Sequence, residues 1–140
     1  MLEKLAIALV KDADDWPDFN FETIWVESLK SGSYLVRSIP FFAEDIAPDD
    51  EVSAANISGV LTFSAVLKYS NNSVFVGIVK GNLDEFKLFI ESAKLRIEYG
   101  FDASMFAVAC SSDQLSQTRR KLRKMEKNKY LEFGELTIRK

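Results

Sequence analysis

The sequence predicts an α+β fold: an antiparallel β half of four to five strands, followed by a helix-strand-helix-strand half with two helices on one face of a sheet. Up to about residue 80 the apolar residues fall in short β-prone runs bounded by Gly, Pro, Asn and Ser, whereas after Gly81 their spacing changes from two to 3.6 residues. The supply of core residues agrees, since 47% of the 140 residues are apolar and 12% aromatic, far from the composition of disorder.

Residues 1–20 read as an N-terminal extension and residues 21–140 as a single domain. The apolar stretch 2–10 is too short to decide between helix and strand, and residues 11–20 mix acids with Trp16, Pro17 and Phe19. Residues 22–29 and 34–38 are β-prone runs separated by Lys30-Ser-Gly-Ser33, which predicts a hairpin. Ile39-Pro-Phe-Phe-Ala43 opens with an X-Pro step that disfavours helix, and an acidic loop with Pro48 follows over residues 44–51. Runs 60–69 and 73–79 suggest a second hairpin through Ser70-Asn71-Asn72, although that turn lacks the Gly of the strongest hairpin signals. Asn82 with Glu85 three residues later marks a helix start, and Leu83, Phe86, Phe89, Ile90, Ala93 and Ile97 share a face, so a helix is expected to about residue 99. Met105-Phe-Ala-Val-Ala-Cys110 reads as a buried strand. Ser111 with Gln114 starts a second helix on which Leu115, Thr118, Leu122 and Met125 align, and residues 130–138 form a last strand.

The chain contains no histidine, which excludes Ser-His and Cys-His nucleophilic sites and His-ligated zinc. One cysteine makes neither an internal disulfide nor a thiolate cluster, and no apolar run approaches the roughly 18 residues of a membrane span. These features suggest a cytoplasmic protein without a membrane or cofactor role. The six glycines form no phosphate-binding loop. Cys110 precedes the second helix, but its neighbours are apolar, so it reads as a small core residue.

Charge is distributed unevenly. Residues 1–112 carry nine Lys and Arg against 17 Asp and Glu, whereas residues 113–140 carry nine against four. The acids Glu44, Asp45, Asp49, Asp50 and Glu51 are of the type that binds a hard cation or works in acid-base pairs, yet nothing in their spacing requires either; a solvated loop is the ordinary alternative. Asp12-Ala-Asp14-Asp15 begins like a calcium loop, but Pro17 and Thr23 occupy the positions of its Gly and its bidentate Glu. No metal or catalytic residue is therefore assigned. On the second helix Arg119, Arg120, Lys121, Arg123, Lys124 and Lys127 lie mostly opposite the apolar stripe. A solvated face is the simplest reading, and the acidic remainder of the chain disfavours nucleic acid.

Trp16, Phe19, Phe41 and Phe42 adjoin acids in two segments. Aromatic anchors ringed by carboxylates suit a basic protein ligand. The expected partner-binding residues are Asp14, Asp15, Trp16, Asp18, Phe42, Glu44, Asp45, Asp49, Asp50 and Glu51.

Glu22-Thr-Ile-Trp-Val-Glu, Gly32-Ser-Tyr-Leu-Val, Ile39-Pro-Phe-Phe-Ala, Asp49-Asp-Glu-Val and Leu61-Thr-Phe together resemble a bacterial family of small domains of unknown function, over roughly residues 22–135. The turn after Tyr69 departs from that family, which has Gly at the position of Asn71 and a basic residue at that of Phe75. The resemblance implies a fold and a bacterial cytoplasmic setting, but no activity. Small acidic α+β proteins lacking catalytic residues also look like the immunity proteins that neutralise toxins exchanged by contact-dependent growth inhibition, whose targets are often basic nuclease domains. The expectation is therefore a non-enzymatic immunity protein that occludes a basic toxin domain. The alternatives are a small carboxylate-dependent enzyme and a nucleic-acid-binding module using the basic second helix.

Overall fold

In a computed structural model, which describes residues 2–100 and 104–140, the chain forms two compact units, residues 1–70 and 71–140. The first is a closed barrel of β1 (Leu2–Ala8), β2 (Phe21–Ser28), β3 (Tyr34–Val36), β4 (Glu51–Ile57) and β5 (Val60–Lys68). Successive strands pair antiparallel. An odd number of alternating strands leaves the first and last running in the same direction, so the barrel closes through a parallel contact of β1 with β5 at Ala6 and Thr62. Alternation fills the interior: Leu5 and Ile7 from β1 meet Ile24 and Val26 from β2, joined by Val36, Ala43, Ile46 and Val52.

The second unit contains β6 (Ser73–Val79), α1 (Leu83–Ala93), β7 (Arg96–Tyr99), β8 (Met105–Cys110), α2 (Leu115–Lys127) and β9 (Leu131–Thr137). Its sheet has the order β7-β8-β6-β9 with every neighbouring pair antiparallel. Each helix therefore connects two strands that run in the same direction with another strand between them, the split βαβ arrangement of ferredoxin-like folds. Phe75, Val79, Phe106, Val108, Cys110 and Leu131 of the sheet pack with Phe86 and Ile90 of α1 and Leu115, Leu122 and Met125 of α2. The Phe86 and Phe106 rings lie 4.7 Å apart. At about 1.5–3 kcal/mol for each large apolar side chain removed from water, this layer is the unit's principal source of stability.

The α+β expectation holds, with six strands before the first helix. Four local expectations change. Residues 2–8, placed in an extension, are a barrel strand with Leu5 fully buried, and residues 21–140 divide between the two units instead of forming one domain. Runs 60–69 and 73–79 do not pair; β5 joins β4 through a turn at Ser58 and Gly59, whose φ values of 53° and 85° suit a tight hairpin. The first helix stops at Ala93 because Lys94 adopts a left-handed conformation and sends its N–H to the carbonyls of Glu91 and Ile90, which frees Arg96–Tyr99 to become an edge strand.

Candidate functional site

Loop 9–20 connects β1 to β2 and is closed at its base by the Leu9 N–H donating to the Asn20 carbonyl at 2.9 Å. Inside it the Asp12 carboxylate accepts the backbone N–H groups of Asp14 and Trp16 at 2.9 and 3.0 Å, a local Asx-type turn. Lys11 donates to the Pro17 carbonyl at 2.7 Å and stands 3.9 Å from Asp15. These bonds present the Trp16 ring outward, 53% exposed, with Phe19 at 42%.

Residues 39–43 come alongside through Glu22. From β2, its carboxylate accepts the backbone N–H groups of Phe41, Phe42 and Ala43 at 2.6, 3.1 and 2.8 Å. Three amides converging on one carboxylate fix a loop whose preceding Pro40 cannot donate. Phe42 is thereby held against both aromatics of the other loop, with its ring centroid 6.2 Å from Trp16 and 5.2 Å from Phe19, both edge-to-face.

The ten expected binding residues separate into two groups. Trp16 and Phe42 meet, while Asp14, Asp15 and Asp18 are exposed in the same loop as Trp16, and Glu44 is exposed two residues beyond Phe42. The remaining acids are structural. Asp50 is fully buried and accepts the N–H groups of Ala47 and Ser70 at 3.0 and 2.8 Å, which corrects its place on an exposed loop: its carboxylate is itself shielded from water and is satisfied by these backbone donors. Half-buried Glu51 accepts the Ser33 hydroxyl at 2.7 Å. Asp45 accepts the Tyr69 hydroxyl at 3.0 Å, and Asp49 stands 3.6 Å from the Arg37 guanidinium; both have positive φ, 63° and 71°. These four acids shape residues 44–51. Among the described residues no three His, Cys, Asp or Glu side chains are grouped to hold a metal ion.

Glu22 and the pairing of Phe19 with Phe42 were not legible as a site, because a Glu in an exposed stretch of a strand carries no local signal for partners 19 to 21 positions away. Cys110 is buried, as its apolar neighbours suggest, and burial pushes its thiol up, against smaller lowering influences from a Thr118 hydrogen bond and the Arg119 charge.

Fold and site together define a two-unit α+β protein whose barrel presents an aromatic cluster flanked by exposed carboxylates. The chain belongs to the family described as a domain of unknown function, DUF4265, whose model matches residues 22–133. It has the same fold as the crystal structure of a hypothetical protein from Neisseria gonorrhoeae, with a TM-score of 0.84 and 20% sequence identity over 100% of this chain and 97% of that one. No curated protein matches it. Among the described residues no helix is long and apolar enough to cross a membrane.

Proposed function

We propose that the chain is a protein-binding module, in the form of a cytoplasmic immunity protein, whose barrel unit occludes a basic toxin domain. The observation that carries this reading is the cluster of exposed Trp16 and Phe19 on half-buried Phe42, which Glu22 holds in place, flanked by Asp14, Asp15, Asp18 and Glu44. Rings fixed before binding lose little freedom on association, so burying them against a partner yields more net affinity than mobile side chains would. The surrounding carboxylates steer a cationic partner and speed encounter, with a rate that falls as salt rises. Inhibition is steric. It requires neither catalysis nor a cofactor.

The test is co-expression of the tagged protein with the product of the reading frame immediately upstream. The expected result is a stoichiometric complex with a basic domain, disrupted by Trp16→Ala and formed more slowly when Asp14, Asp15 and Asp18 are replaced by Lys. Failure to form a complex, or a complex indifferent to both sets of changes, overturns the reading.

A further inference from the structure

We propose that the outward face of α2 is a binding site for the phosphodiester backbone of nucleic acid. Leu115, Thr118, Leu122 and Met125 are the buried residues of this helix. At 100° per residue the opposite face carries Arg120, Arg123, Lys124 and Lys127, an i, i+3, i+4, i+7 stripe about 10.5 Å long at 1.5 Å per residue. All four are exposed, and none of their side chains has an ion-pair or hydrogen-bond partner among the described residues. Other arginines are used differently: Arg37 is paired with Glu27 and Asp49, and Arg119 with Glu135.

Folding does not account for the stripe. Like charges three and four residues apart on a helix repel one another. The helix dipole rewards cations only in the last turn, which covers Lys124 and Lys127 and leaves Arg120 and Arg123 without a structural reason. Charge also follows the two units. Residues 71–140 carry 13 Lys and Arg against nine Asp and Glu, and residues 1–70 carry five against 12. The acidity that disfavours a polyanion therefore belongs to the barrel, and α2 belongs to a unit that is net basic.

The composition of the face selects the ligand. Ser116, Gln117, Arg120, Lys121, Arg123, Lys124 and Lys127 include no apolar side chain. Protein interfaces place aromatic or apolar anchors at a desolvated centre and are depleted in Lys. Helices that lie on membranes turn an apolar face to the lipid, and here that face is buried in the unit's core. Phosphate oxygens need only Arg, Lys, Ser and Gln donors, and contacts of this kind are indifferent to base sequence.

The test measures fluorescence anisotropy of the full chain with a labelled RNA of about 20 nucleotides and a DNA duplex of about 20 base pairs, from about 50 to 200 mM salt. At least one probe is expected to bind without sequence preference; for the duplex, log K should fall against log salt with a slope of up to about −3.6 for four cations. The variant R120Q/R123Q/K124Q/K127Q should weaken binding about 100-fold or more at the lowest salt and flatten that slope. Its melting temperature should change little, since relief of mutual repulsion offsets the lost interaction of Lys124 and Lys127 with the helix dipole. The smaller variant R120Q/R123Q reads out in the same direction should the larger one misfold. Trp16→Ala on the barrel should leave this binding unchanged, which separates the site from the proposed protein interface. Absence of binding to both probes, binding unaffected by the α2 substitutions, or binding to phosphatidylglycerol vesicles in place of nucleic acid overturns the proposal.

Discussion

The Glu22 carboxylate accepts the backbone N–H of Phe41 at 2.6 Å across 19 positions of sequence, and with the neighbouring amides of Phe42 and Ala43 it fixes one half of the aromatic cluster to β2. This contact separates stability from binding. Glu22→Ala removes three charge-assisted bonds at a half-buried site, each worth about 1.5–3 kcal/mol in net terms and less in sum because they share one carboxylate, so a loss of about 2–4 kcal/mol is expected. Trp16, half-exposed and held by its backbone, should change stability by about 1 kcal/mol or less on conversion to Ala while removing about 2 kcal/mol or more of partner affinity. Urea unfolding beside calorimetric titration of the partner separates the two effects. Equal stability losses would show that Trp16 is a core residue of the loop.

Asp50 makes the acidic loop a poor place to test electrostatics by wholesale charge reversal. Asp50→Ala leaves the buried N–H of Ala47 and the half-buried N–H of Ser70 without their acceptor, at about 1–3 kcal/mol for the first and less for the second, and is expected to lower stability by about 2–4 kcal/mol. Asp50→Asn keeps the shape and one acceptor and should cost about half as much. Glu44→Lys, at an exposed position, should stay within about 0.5 kcal/mol. Urea midpoints for the three variants check this order. An Asp50→Ala variant as stable as the parent would mean that water satisfies those amides.

Legibility followed the range of the interactions. The buried face of α2 is the predicted set Leu115, Thr118, Leu122 and Met125, and β8 has the predicted bounds, because periodicity and short apolar runs are local signals. β4 was hidden because Glu51–Ile57 is rich in polar and small residues and acquires strand character from pairing with β3 and β5. β7 was absorbed into the first helix because Ile97 follows Ala93 at helical spacing, and the stop at Lys94 is a left-handed residue without the usual Gly. The aromatic and acidic half of the site was visible as composition. Its assembly was not, since it depends on contacts such as that of Phe19 with Phe42, made between the β1–β2 loop and the β3–β4 connection.

Gly77 is set by a close approach. In the middle of β6, between β8 and β9, a Cβ at this position would collide with the backbone carbonyl of Glu132 and fall 2.7 Å from Phe106 Cζ. Because the obstacle includes backbone on a neighbouring strand, relaxation must move the sheet. Gly77→Ala is expected to cost about 1–3 kcal/mol, towards the upper end, despite the higher strand propensity of Ala. Gly134, with open space around its Cβ position, is the control: Gly134→Ala should be neutral or slightly stabilising. Guanidinium midpoints for the pair decide it, and equal midpoints would mean that β9 yields at no cost.

Alkaline pH should weaken the second unit through Cys110 and Tyr99. Desolvation raises both groups above their ordinary values of 9.0 and 10.0, with the charge of Glu91 adding to the effect at Tyr99. In the unfolded chain each loses its proton at its ordinary value, whereas in the folded chain it keeps the proton longer. Between those two values the unfolded state binds fewer protons, so stability falls with rising pH. The contribution is complete below about pH 9 and is lost progressively as pH passes through the raised folded values. Urea unfolding across this range should show a negative slope that is shallower in Cys110→Ala, after allowing for the constant cost of the missing sulfur. A disulfide reagent such as DTNB should react with Cys110 of the native protein far more slowly than with the unfolded chain, because the thiol is both buried and protonated. Rapid native-state labelling, or a stability profile unchanged by the substitution, would show that the thiol is reached from solvent without opening the core.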